Sequence, residues 1–116
     1  MIGAIVMKVA YIFSTTNSQK ILDKMIIPQM LDGNHGVEVA GMMFFFDNTF
    51  LLTQGCSTGD RLQKIHEKYG TLLMACDICA IERGIEDQLV PGSGIGCFPN
   101  LYAVLGSAGV DQVITL

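Results

Sequence analysis

The sequence predicts an α/β protein with an open, mostly parallel sheet of four to five strands and helices on both faces. Two observations carry this. Apolar runs rich in Val, Ile and Phe alternate with segments whose apolar residues recur at helical spacing, and the connections between them are short. The apolar runs are also nearly continuous rather than alternating with polar residues. Continuous apolarity suits a strand buried on both faces, and strand–helix alternation suits parallel crossovers.

Ile5 to Phe13 is the first such run, ending in the polar cluster Ser14-Thr15-Thr16-Asn17-Ser18, which supplies helix N-cap candidates. Ile21, Leu22, Met25, Ile26, Met30 and Leu31 follow at helical spacing, and Gly33-Asn34 closes that helix. Val37 to Phe46 reads as a second strand and Asp47 to Thr58 as a loop. Gly59 to Tyr69 is an amphipathic helix with Leu62, Ile65 and Tyr69 on one side, stopped at Gly70. Thr71 to Ala75 is a short third strand, and Cys76 to Arg83 turns into a helix that ends at Gly84. Glu86 to Cys97 is Gly-rich and reads mostly as loop, with a brief strand near Gln88 to Val90. Phe98 to Ser107 is a helix carrying Pro99 in its first turn, and Val110 to Leu116 is the closing strand.

The chain has 116 residues, enough for one domain spanning 1–116; Met7 is an alternative start, which would make residues 1–6 an upstream extension. Half of the residues are hydrophobic and 16% are charged. An ordinary soluble domain carries roughly 25% charged residues, so apolar surface is left to cover and a homo-oligomer is expected. Seven basic residues are scattered among eleven acidic ones, for a net charge of −4. That pattern lacks the clustered basic footprint of a nucleic-acid binder. The apolar start is too short for a signal peptide, and no apolar run reaches the ~20 residues of a membrane helix. A cytoplasmic location, where thiols stay reduced, is the expectation.

Right-handed crossovers bring every loop that follows a strand to one edge of the sheet, the edge at which such folds bind ligands. On this reading Cys56, Cys76, Cys79 and Cys97 all gather there. Cys76-Asp77-Ile78-Cys79 follows a strand and opens a helix, where the helix dipole and unpaired N–H groups favour a thiolate. Asp77 and burial beside the strand act the other way, and the sequence leaves the balance open. Structural zinc sites usually have two close ligand pairs. Here Cys76/Cys79 is one such pair, Cys56 and Cys97 stand alone, and His35 falls on the opposite edge. No metal and no cofactor are therefore expected. Cys56 and Cys97 read as structural or accessory.

The segment from Cys76 to Ile85 resembles the DsrE/DsrF-like sulfur-relay family, whose members carry a cysteine at the end of the third strand, eight residues before a glycine preceded by arginine. Cys76, Arg83 and Gly84 stand at that spacing. The opening Met7 to Phe13 and the ending Gly109 to Leu116 are also similar to that family. The resemblance implies a doubly covered parallel sheet of flavodoxin-like architecture, homo-oligomers such as trimers or hexamers, and protein donors and acceptors of sulfur. It also implies that Cys76 accepts sulfane sulfur as a persulfide. Cys79 departs from the simplest family pattern, and reads either as a thiol that resolves a Cys76 persulfide or as a structural neighbour.

Two other readings stay open. Cys76 and Cys79 could act together in thiol–disulfide exchange, although in thioredoxin-like folds such a pair follows an early strand. Ser14 to Ser18 could cradle the phosphate of a nucleotide or flavin, although the loop lacks glycine and ordinary helix capping explains it. A non-catalytic oligomer would use Met42 to Phe46 and Phe50 to Leu52 as core and interface.

Overall fold

A computed structural model describes residues 6–116 of the chain. Among them, five strands form one wholly parallel sheet: β1 (Lys8–Phe13), β2 (Glu38–Phe44), β3 (Leu72–Cys76), β4 (Ser93–Gly96) and β5 (Gln112–Thr115). Their spatial order is β4-β3-β2-β1-β5. This is the predicted fold class. Ile5 and the proposed extension up to that point lie outside the described residues.

The order explains how the helices are distributed. From β1 to β4 the chain steps in one direction across the sheet. Right-handed crossovers therefore place the intervening helices on one face. Those before β3 are α1 (Ser18–Ile21), α2 (Ile27–Asp32) and α3 (Ser57–Tyr69), and the short α4 (Asp77–Glu82) follows between β3 and β4. The return from β4 to β5 runs the other way, and α5 (Phe98–Ala108) lies on the opposite face. The two cores follow from period-2 alternation along the strands. Val9, Tyr11, Phe13, Phe44, Leu73 and Ala75 pack with Leu22, Ile27, Leu62 and Ile65 of the first face. Met43, Phe45 and Cys76 point the other way and pack with Leu101 of α5.

Four details differ from expectation. The helix after β1 contains a π-helical turn, Leu22–Ile26, between α1 and α2. Pro28 sits in the first turn of α2. It has no N–H to offer the Lys24 carbonyl and would clash with it in a regular helix, so a wider turn relieves the conflict. That turn rotates Met25 out to solvent while Ile26 and Ile27 turn inward.

The segment after β2 is a 3₁₀-helix, Phe46–Leu52, rather than plain loop, and α3 begins earlier than expected, at Ser57. Gly59 lies inside this first turn, because a Cβ there would collide with the carbonyl oxygens of Leu51 and Thr53. Finally, the strand near Gln88 to Val90 is not part of the sheet. That stretch bridges antiparallel to Thr53, with the Val90 N–H donating to Leu52 O at 2.8 Å and Gln54 N–H to Gln88 O at 2.8 Å. The fourth strand is Ser93–Gly96, whose glycines hid it in the sequence.

Candidate functional site

β3 runs straight into α4 (Asp77–Glu82), and Cys76 occupies the N-cap between them. The side-chain alternation of β3 turns Cys76 toward the α5 face, where it is 4% exposed. The backbone N–H groups of Cys79 and Ile78 lie near its sulfur without forming a cap hydrogen bond to it, and the Ile78 N–H donates to Asp77 Oδ1 at 2.7 Å. Burial pushes the thiol up from its ordinary range, the adjacent Cys79 thiol adds to this, and those two N–H groups oppose it. Burial wins the balance that the sequence left open.

The structure places β4 beside β3 with Cys76 in register against Gly96. Cys97 therefore follows the strand partner of Cys76. It forms the N-cap of α5 in a reciprocal arrangement with Asn100. The Cys97 N–H donates to Asn100 Oδ1 at 2.9 Å, and the Asn100 N–H faces the Cys97 sulfur. Cys76 Sγ, Cys97 Sγ and an Asp77 carboxylate oxygen all lie within 4.8 Å of one another. The sequence places Cys97 on this edge but, as a cysteine standing alone, it reads there as structural or accessory. With the strand at Ser93–Gly96, the same residue stands beside Cys76.

These residues open onto a cavity of about 450 Å³ along the carboxyl edge of the sheet, lined by Cys76, Cys79 and Cys97 with Ile12, Phe45 and Phe98 among others. Its wall is mostly apolar. Phe45 stacks on Phe98 with ring centroids 5.3 Å apart. Phe46, also in the wall, has φ 56° and is 57% exposed. A bulky non-glycine residue in the left-handed region is strained by about 1–3 kcal/mol. The strain falls where the 3₁₀-helix leaves β2 and turns the Phe46 ring toward the cavity mouth.

Arg83 braces this edge from behind. It pairs with Asp47 at 2.9 Å and donates to the Cys79 carbonyl at 3.1 Å, tying the end of α4 to the segment after β2. Cys56 is the N-cap of α3 and is not among the residues lining the cavity. Three of the four cysteines thus share one cavity.

The Ser14 to Ser18 loop directs its donors into the protein. The Ser14 and Thr15 N–H groups donate to Leu116 O at 2.7 and 3.2 Å, and the Ser18 and Gln19 N–H groups to Thr15 O and Thr16 O. Those N–H groups would have to be released to hold a phosphate. His35 lies between α2 and β2, at the opposite edge from the cysteines. A second cavity of about 470 Å³ opens there, with His35, Met30 and Tyr69 in its wall. Tyr11 Oη and His35 Nε2 are 2.8 Å apart. On the other ring nitrogen, His35 Nδ1 meets Gln29 Oε1 at 2.9 Å, and burial holds the imidazole below its ordinary range.

Fold and site together define a small, parallel α/β protein with a cysteine-lined cavity at the carboxyl edge of its sheet. The same fold is found in the crystal structure of ychN protein from E. coli, with a TM-score of 0.67 at 16% identity over 97% of this chain and 100% of that one. A protein of unknown function, MTH1491 from Methanobacterium thermoautotrophicum, matches with a TM-score of 0.66 at 12% identity, over 96% and 99% of the two chains. This likeness supports the DsrE-like fold and extends to the fold alone. No family model matches the chain, and no curated protein matches it. Among the described residues, no helix is long and apolar enough to cross a membrane.

Proposed function

We propose that this protein accepts sulfane sulfur on Cys76 and passes it on as a persulfide. The observation that carries this reading is the setting of Cys76. It is a buried thiol at a strand end and helix start that opens onto an apolar cavity. In the accepting step the Cys76 thiolate attacks the outer sulfur of a donor persulfide. A bond from Cys76 Sγ to that sulfur forms, the donor's S–S bond breaks, and the donor leaves as a thiolate. No oxidant or cofactor is needed. The apolar wall shields the loaded sulfur from water.

The resemblance of the Cys76 to Gly84 segment to the sulfur-relay family, and the shared DsrE-like fold, support the same assignment. Both a homo-oligomer and protein donors and acceptors belong to this reading. The exposed apolar side chains Ile78, Phe46 and Phe98 beside the cavity suit docking of another polypeptide. A second reading, exchange through a Cys76–Cys79 disulfide, is favoured by the place of both residues in one small core and one cavity wall.

The test is to treat reduced protein with inorganic polysulfide and measure intact mass. Gain of about 32 Da, one sulfur atom, located on Cys76 by peptide mapping and lost in Cys76→Ser, is the expected result. Uptake that survives Cys76→Ser unchanged would sink the proposal. Loss of about 2 Da that needs Cys76 and Cys79 would favour the disulfide reading instead.

A further inference from the structure

We propose that Cys97 is the thiol that resolves Cys76 when no acceptor takes the sulfur, forming a reversible Cys76–Cys97 bridge that discharges the load as hydrosulfide. This rests on the persulfide reading of Cys76 and adds a second reacting residue to it.

Three observations converge on Cys97. The β3–β4 register sets Cys76 against Gly96, so Cys97 comes next to it across neighbouring parallel strands. The two sulfurs lie within 4.8 Å of one another. A disulfide needs its sulfurs about 2.05 Å apart, with Cα atoms at roughly 4.4–6.8 Å, a spacing that neighbouring strands at about 4.8 Å supply. Side-chain rotation, without movement of the sheet, is then the main adjustment. Third, both sulfurs border the same cavity, which gives the leaving sulfur an exit.

Cys97 is also better suited to attack than Cys79. A resolving thiol must become a thiolate and approach along the S–S axis. Cys79 is 4% exposed and sits inside the short α4. Cys97 is half-buried, and caps the eleven-residue helix α5 with the Asn100 N–H facing its sulfur.

The step balances without an external oxidant. The Cys97 thiolate attacks Cys76 Sγ of the protonated persulfide. The Cys76–Cys97 S–S bond forms and the bond to the outer sulfur breaks. The outer sulfur takes the bonding pair and departs as hydrosulfide, keeping its proton. The sulfane sulfur is reduced by two electrons and the two cysteine sulfurs are oxidised together by two.

The test loads wild-type protein, Cys97→Ser and Cys79→Ser with inorganic polysulfide, removes the excess, and follows intact mass and released sulfide. Serine is itself a good N-cap residue, so Cys97→Ser keeps the start of α5 and removes only the thiol. Wild type and Cys79→Ser are expected to pass from about +32 Da to about −2 Da with one sulfide released. In Cys97→Ser the loaded form should persist, with sulfide release slowed about tenfold or more. Discharge of Cys97→Ser at the wild-type rate, or a bridge mapped to Cys76–Cys79, overturns the assignment. If wild type takes up no sulfur, the persulfide reading fails by itself. Oxidation with diamide then decides the role of Cys97. A mapped Cys76–Cys97 bridge upholds the pairing, and its absence overturns it.

Discussion

At Cys76 two influences oppose each other. Two N–H groups favour the thiolate, while burial favours the thiol, and burial is the larger. At neutral pH the resting group is therefore a thiol. Labelling of Cys76 by iodoacetamide, read by peptide mass, should rise with pH along a curve displaced above that of free cysteine. Labelling at neutral pH faster than free cysteine would show that the N–H groups dominate. The shift also links to stability. The folded state holds this proton more tightly than the unfolded state does. The resulting stabilisation is complete below the unfolded thiol's titration range and is lost as pH rises through the folded value. His35 has the opposite sense, because burial lowers its folded value. Its contribution is present above the unfolded value and is lost as pH falls through the folded one.

On the scale of elements, the site depends on a short strand that carries two glycines. Gly96 is required because a Cβ there would stand 2.8 Å from Asn100 Cβ, and the Asn100 side chain caps the N–H of Cys97. Gly96→Ala should push Asn100 aside and cost about 1 kcal/mol through the lost cap, measurable by urea unfolding. The same substitution should slow formation of a Cys76–Cys97 bridge while leaving the labelling of Cys76 unchanged. An Ala variant that bridges at the wild-type rate would mean that the Asn100 cap does not position Cys97. The π-helical turn before α2 illustrates a different control: beside Pro28 the wider turn leaves Met25 exposed while Met30 stays buried.

For the whole molecule, the two faces of the sheet are covered unequally. The first face packs α1, α2 and α3 over a large core. The second has α5 over a small core of Met43, Phe45, Cys76, Cys79 and Leu101. Of α5 only Leu101 is buried, while Phe98 and Tyr102 are exposed, as are Ile78 and Ile81 of α4. Assembly with further copies would cover this face and bring an interface close to the cysteine cavity. Sedimentation equilibrium is expected to show a multiple of the 12.6 kDa chain mass. Tyr102→Lys should shift that equilibrium toward the monomer, since Lys is disfavoured in interface cores. A wild-type protein that remains monomeric at high concentration would overturn the oligomer proposal.

By itself the sequence determined the fold class, the alternation of strands and helices, the position of Cys76 at a strand–helix junction, and the separation of His35 from the cysteine edge. These follow from local signals: apolar runs, helical periodicity, caps and glycine stops act over a few residues and survive in one dimension. Tertiary structure alone decided the rest. Ser93-Gly94-Ile95-Gly96 has no strand-like composition, and only pairing with β3 makes it a strand. That pairing brings Cys97 to Cys76, whereas Cys56 lines no part of their cavity. The direction of the Cys76 shift was likewise closed to sequence, because burial depends on what α5 and the neighbouring strands place around the sulfur. Contacts between residues far apart in the chain are set by register and packing, and neither is written in the local pattern.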